Sequence, residues 1–234
     1  MATQVLVLHP GGELSGVAHE GESWAAAARR VGLSLTGVPV ARDLSGAAKV
    51  FEIDHDLVVS VRAMTRGDLP DLIRWRQAPH VRRWWHGDGP PTPEEVAARY
   101  GPRIDGASPT RMWVAEVNGR AVGFLQDYRI ADYPEYALLG PDPTAIGVDY
   151  AVGEPAWLGR GIGTRVLWAW MERAHHRFPT APAFFAAPDH RNAASLRVLD
   201  KVGFSRGLWF DEAEADGTVS TVVGCRLAVG RVLA

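Results

Sequence analysis

An α/β fold with a mixed, twisted central sheet flanked by helices is predicted by three features of the 234-residue sequence. From residue 58 onward, segments with strand alternation and segments with helix periodicity succeed one another, the pattern of helices layered on a sheet. Residues 144–152 read as a strand that leads into a glycine-rich loop, and that loop opens a helix. Met112–Val117 and Arg120–Ile130 flank Asn118-Gly119, a hairpin signature, so antiparallel pairing joins the parallel pairing expected of strand–helix–strand units.

Taken in order, residues 1–57 are rich in Gly and Ala and hold one helix candidate, Glu22 to Val31, which Gly32 ends. Val5–Leu8 and Leu33–Val40 read as short strands around it. This segment is predicted to be a packing extension or small subdomain, with the main domain spanning 58–234. Val58–Met64 alternates as a strand. Asp68–Gln77 places Leu69, Leu72 and Ile73 on one helix face. Thr92-Pro93-Glu94-Glu95 starts another helix, with Thr92 as N-cap and Glu95 closing a capping box; it is predicted to run to about Tyr100. In the strand 144–152, Ile146, Val148, Tyr150 and Val152 share one face, and Gly147, Asp149 and Ala151 the other. Gly163–Ala174 is a helix with Val166, Leu167, Trp170, Met171 and Ala174 as its apolar stripe. Ala183–Ala187 is a short strand. Asn192–Val202 is a helix capped by Asn192 and ended by Gly203, and a last strand lies within Thr218–Leu227.

Composition excludes several classes of function. Hydrophobic residues make up 47% and charged residues 22%, which rules out wholesale disorder. The formal charge is 25 − 27 = −2, which tells against a nucleic-acid binder held by bulk positive charge. Cys225 is the single cysteine, so there is no intrachain disulfide and no cysteine-based zinc site. His175 and His176 lack metal-ligand spacing. The run Val5–Leu8 has no basic segment before it and is too short for a signal peptide or a membrane span. These features predict a soluble cytoplasmic protein that needs no metal; they leave monomer or homodimer open.

The sharpest chemical signal is Trp157-Leu158-Gly159-Arg160-Gly161-Ile162-Gly163-Thr164. Glycines let a phosphate approach the backbone, and a helix N-terminus offers free N–H groups with partial positive charge. Arg160 and Arg165 are candidates to add charge. Out of context, a plain glycine turn is an equally good reading. In context, the loop is followed by a short strand and then by a helix from Asn192 to Asp200-Lys201-Val202-Gly203-Phe204. This arrangement resembles motifs A and B of the GCN5-related N-acetyltransferase (GNAT) superfamily. The resemblance implies the GNAT fold, with strands splayed at an acetyl-CoA site. It implies that the backbone of Tyr150, Ala151 and Val152 pairs with pantetheine. Leu158, Gly159, Arg160, Gly161, Ile162, Gly163 and Thr164 would hold the pyrophosphate, with Asn192 and Lys201 also at the cofactor. The usual pattern has Gln or Arg where this chain has Leu158.

A narrower resemblance covers residues 60–205. Val61-Arg62-Ala63-Met64, Trp84-Trp85-His86-Gly87, Tyr100-Gly101-Pro102, Val122-Gly123-Phe124-Leu125-Gln126-Asp127-Tyr128 and Asp142-Pro143 with Gly147-Val148-Asp149 look like the aminoglycoside 6′-N-acetyltransferases. That likeness implies Asp149 as active-site base, and Trp84, Trp85, Gln126, Asp127, Tyr128 and Asp142 at the substrate. If Trp84 and Trp85 lie on a strand, they face opposite ways, and only one meets a ligand. His86 reads as a surface-loop histidine. One departure is notable: many superfamily members place a proton-donating Tyr where this chain has Leu199.

Charge distribution fits independently. Residues 127–154 hold six acids (Asp127, Asp132, Glu135, Asp142, Asp149, Glu154) and one base, Arg129, a balance of 1 − 6 = −5. Residues 157–206 hold eight bases and three acids, 8 − 3 = +5. A polycationic amine acceptor and an anionic acyl-CoA donor suit that division. Solvated loop acids and ordinary surface arginines are the plain alternative. The acidic stretch Asp211–Asp216 reads as a solvated turn. The predicted function is acetyl-CoA-dependent acetylation of an aminoglycoside 6′-amine in a ternary complex, with backbone N–H groups near Ala151 and Val152 as oxyanion hole. Two alternatives stand beside it: a siderophore-type lysine or other small-amine acyltransferase, and an acyl-CoA-binding module without turnover.

Overall fold

A computed structural model describes residues 2–85, 90–133, 142–213, 217 and 219–234. Its strands form two sheets. The smaller sheet comes from the first 52 residues. β1 (Thr3–His9) and β2 (Gly12–Ala18) make a hairpin, α1 (Trp24–Val31) follows, and β3 (Val40–Asp43) and β4 (Lys49–Glu52) complete the order β2-β1-β4-β3. The pairing of β1 with β4 is parallel, so this sheet is mixed. Helix α1 begins two residues after the expected Glu22, because Ser23 caps it, accepting a hydrogen bond from the Ala26 N–H at 3.2 Å; Gly32 ends it as expected. The expected strand over Leu33–Val40 is absent. Residues 33–39 turn, with Gly37 at φ 107° and Leu33 and Val38 exposed, and the strand begins only at Val40. An apolar run without a core to face does not make a strand.

The larger sheet has seven strands in the order β10-β11-β9-β8-β7-β6-β5. They are β5 (Val59–Ala63), β6 (Arg111–Val117), β7 (Arg120–Arg129), β8 (Ile146–Val152), β9 (Ala183–Ala186), β10 (Ser205–Ala213) and β11 (Val219–Ala228). The β6–β7 turn has φ 48° at Asn118 and 75° at Gly119, the positive angles that the dipeptide tolerates. β10 was not legible as a strand; Asp211, read as part of a turn, lies in it and accepts from the Thr221 hydroxyl at 2.8 Å. Glu214 and Asp216 lie outside the described residues.

Helices cover both faces of the large sheet. α2 (Leu69–Gln77) and α4 (Pro93–Ile104), with the short α3 (Pro79–Arg82) between them, cover one face around Leu72, Trp75, Tyr100 and Phe124. The other face carries α5 (Ile162–Arg177) and α6 (Ala193–Lys201); the short α7 (Val229–Val232) closes the chain. α5 lies between the two sheets, against β5 and β8 on one side and β3 on the other. One core runs through both sheets: Val5, Val7 and Phe51 join Trp168 and Met171, and Phe51 meets the Trp168 ring edge-on at 5.6 Å.

The reciprocal Thr92–Glu95 capping box forms as expected. The helix it opens continues past Tyr100 to Ile104 despite Pro102. Arg66 holds that last turn: its guanidinium lies on Gly101, where a Cβ would come within 2.6 Å of it, and it binds the Asp105 carboxylate at 2.5 Å. The extra turn matters, because it carries Arg103.

Candidate active site

The large sheet is forked. β8 pairs with β7 along all seven of its residues, but with β9 only at Ile146↔Phe184 and Gly147↔Phe185. Beyond Gly147 the strands part. A cavity of about 500 Å³ fills the gap, bounded by Tyr150, Ala151 and Val152 of β8, the glycine loop, and Asn192, Ser195 and Lys201 of the α6 segment. Gly153 N–H donates to Val122 O. The antiparallel ladder alternates from that bond, so Ala151 N–H points to β7, while Tyr150 and Val152 present N–H and C=O to the fork. Of the donors expected near Ala151 and Val152, the Ala151 N–H is therefore turned away from the fork and the Val152 N–H toward it. The Val152 carbonyl already meets His80 Nε2 at 3.0 Å.

The glycine loop is shaped for an anion. Gly159 and Gly161 have φ of 71° and 76°, and a Cβ built on either meets nothing within 4 Å, so both border open space. Gly161 is the N-cap of α5, with no side chain bound to the first turn and no acid in it. By contrast, α1, α4 and α6 are capped by Ser23, Thr92 and Asn192. The first N–H groups of α5 are therefore available, with the helix dipole behind them. Ile162, Gly163 and Thr164 line the cavity, as do Arg197 and Lys201. Leu158 is 44% exposed at its rim, and Arg160 stacks on the Trp157 ring at 4.6 Å. Arg165 does not join the cluster: it binds Glu52 at 2.6 Å and Asp54 at 2.8 Å, tying α5 to the N-terminal segment.

On the opposite face of β8 stands Asp149, half-buried. Its Oδ2 accepts from Gln126 Nε2 at 2.7 Å, and the Gln126 carbonyl accepts from Arg103 Nη1. Desolvation pushes the Asp149 carboxyl above its ordinary range, opposed by the Gln126 hydrogen bond and by the charges of Arg103 and Arg99. Tyr128, on the same face as Gln126, packs its ring so closely on Gly147 that a Cβ there would come within 2.5 Å. Trp84 and Trp85 lie in the turn after α3, not on a strand, and both line the cavity; Trp85 packs on Phe124 at 4.9 Å. Side-chain alternation along a strand therefore does not separate them.

Asp127 is not brought together with Asp149. It faces α5 at 1% exposure, where Trp113 and Trp170 Nε1 donate to its Oδ2 at 2.8 and 3.0 Å. Gln126 and Tyr128 face the other way. Asp142 lies in the turn before β8, its Oδ1 accepting from Thr144 N and Oγ1 at 2.9 and 2.6 Å. His86 and Glu135 lie outside the described residues. Polar cavity or support residues that went unforeseen are His80, Ser195, Arg197, Arg99 and Arg103. Among the described residues no group of three or more His, Cys, Asp or Glu side chains is placed to hold a metal, and no helix there is long and apolar enough to cross a membrane.

The model of the acetyltransferase (GNAT) domain matches residues 65–211, which hold the fork, the glycine loop and Asp149. The chain belongs to the GNAT acetyltransferase family. Among proteins similar to this GNAT chain is aminoglycoside N(6′)-acetyltransferase type 1 of Klebsiella pneumoniae, 28% identical over 168 residues, 71% of this chain and 79% of that one. A lysine N-acyltransferase of Mycobacterium sp. (strain MCS) is 26% identical over 139 residues, 58% of this chain and 54% of its own. The crystal structure of an aminoglycoside acetyltransferase in complex with coenzyme A and kanamycin superposes with a TM-score of 0.61 at 25% identity, over 73% of this chain and 95% of that one.

Proposed function

We propose that this acetyltransferase moves the acetyl group of acetyl-CoA to the 6′-amine of an aminoglycoside, by direct transfer in a ternary complex. The observation that carries the reading is Asp149: a half-buried carboxylate whose affinity for protons is raised by desolvation, on the strand whose free edge borders the fork. The acetyl-CoA reading rests on the uncapped glycine loop and the basic cavity wall, and on the coenzyme A in the similar crystal structure. The cosubstrate supplies the acyl group as a thioester. Asp149 holds the substrate ammonium and takes its proton, directly or through a water, leaving a neutral amine to attack. A base with a raised pKa works closer to neutral pH than an ordinary aspartate does. Gln126 and Arg103 orient the carboxylate. N–H groups of Tyr150 and Val152 face the carbonyl oxygen.

Trp84, Trp85, Gln126, Tyr128 and Asp142 are assigned to the acceptor side. Asp127 is not assigned there: its carboxylate faces α5 and holds the Trp113 and Trp170 indoles. Leu199 is buried in the core and cannot donate a proton to the leaving thiolate. The hydroxyls of Tyr150 and Ser195, 2.9 Å apart, belong to residues that do line the cavity. Cys225 is fully buried and burial pushes its thiol up to about 12, which disfavours a covalent cysteine route. Residues 1–57 act as a packing extension, joined to α5 through Arg165. The reaction takes place in the cytoplasm, where acetylation would protect a cell from the antibiotic.

A thiol-release assay with acetyl-CoA tests this. Release with kanamycin and tobramycin, and none with 6′-hydroxyl analogues, is the expected result. Silence on aminoglycosides together with acylation of lysine would move the assignment to the lysine acyltransferases.

A further inference from the structure

A second cavity, of about 440 Å³, lies at the far end of α5 from the glycine loop. α5 has 16 residues, so its ends are about 24 Å apart. The cavity is bounded by the start of β6, the end of β7, residues 106–109 and the last turn of α5. Arg111, Asp127 and Arg129 reach it from one sheet face, since Arg111 pairs with Asp127 across the strands and Arg129 is two residues on. Arg177 reaches it from α5.

Three guanidinium groups thus converge, and among the described residues little neutralises them. Those of Arg129 and Arg177 lie over the same Phe178 ring, at 5.4 and 4.8 Å from its centre. Arg177 Nη1 is shut off from solvent and has no hydrogen-bond acceptor; its nearest acid oxygen, Asp127 Oδ1, is 3.9 Å away. Asp127 is already held by the two indole N–H groups. Arg111 and Arg129 make no ion pair among the described residues, and Arg173 adds a fourth positive charge nearby. Asp132, exposed at the rim, is the other acid bordering the cavity among the described residues. Like charges crowded on one ring around an unmet donor are an arrangement that a multiply charged oxyanion stabilises, through charge-assisted and bidentate hydrogen bonds.

We propose that this cavity is a second ligand site, taking a small phosphate- or carboxylate-bearing anion on Arg111, Arg129 and Arg177. It is separate from the fork and does not depend on the acceptor assigned above. The test is thermal unfolding of the full chain with coenzyme A saturating, titrated separately with inorganic phosphate and with citrate at constant ionic strength. The expected result is a Tm that rises with the logarithm of concentration of at least one anion, by roughly 3–5 °C per tenfold beyond half-saturation. That response is lost in Arg129→Gln and in Arg111→Gln, both exposed side chains whose removal leaves the fold intact. Response to phosphate alone, citrate alone or both tells the two chemistries apart, and each supports the site. A shift matched by sodium chloride, or one undiminished in both variants, overturns it.

Discussion

The two sides of β8 are built from different materials. Toward the fork, the site is main chain: strand N–H and C=O groups, a glycine loop and an uncapped helix end. Away from it, the site is side chain: Asp149 from β8, Gln126 from β7 and Arg103 from α4, in series. A main-chain site needs only the right backbone path, so the local sequence encodes it. A side-chain site needs residues 149, 126 and 103 to meet, and only the tertiary fold arranges that. With the donor in the fork and the acceptor at Asp149, as proposed, the donor side should tolerate side-chain changes and resist backbone changes, and the acceptor side the reverse.

The largest expected effect lies on the side-chain side. Asp149→Asn should lower kcat by roughly 10²–10⁴-fold with coenzyme A binding unchanged, measured by thiol release and calorimetry. Equal losses of binding and turnover would erase the division between the sides. Next, Gly161→Ala places a Cβ at φ 76° and into the open space of the loop. The strained φ should cost about 1–2 kcal/mol of stability, and the Cβ standing in the donor's path should weaken donor binding roughly tenfold, with acceptor KM unmoved.

A third test reads pH. Activity should rise with pH as Asp149 loses its proton, with a midpoint above the ordinary aspartate range. The Gln126 hydrogen bond favours the charged carboxylate, so Gln126→Ala should move that midpoint to still higher pH; a shift to lower pH would remove Gln126 from the series. The smallest effect is expected of Leu158→Gln, which restores the residue common in the family at an exposed rim position. Donor KM should change by less than about twofold, because the loop's donors are backbone groups.

The same division explains what could be read in advance. The glycine loop, the Asn118-Gly119 hairpin and the caps at Thr92 and Asn192 are local, and each forms where its residues predict. Asp149 was legible through resemblance. Arg103 was not, because Gly101-Pro102 reads as a helix end, and the turn beyond it is braced by Arg66, far away in the sequence. Asp127 was legible in principle: it alternates with Gln126 and Tyr128, so one face could not hold all three. Arg165 looked like part of the phosphate cradle because its partners, Glu52 and Asp54, are more than a hundred residues away in the chain.

The fork at Gly147 also bears on how the molecule carries load. β5–β8 and β9–β11 are two plates joined in the sheet by a two-rung hinge at Ile146 and Gly147. Whatever lies along the open edge of β8 supplies the missing rungs. On the proposed reading the donor seated there is a structural strut as well as a reagent, and the sheet stiffens when it binds.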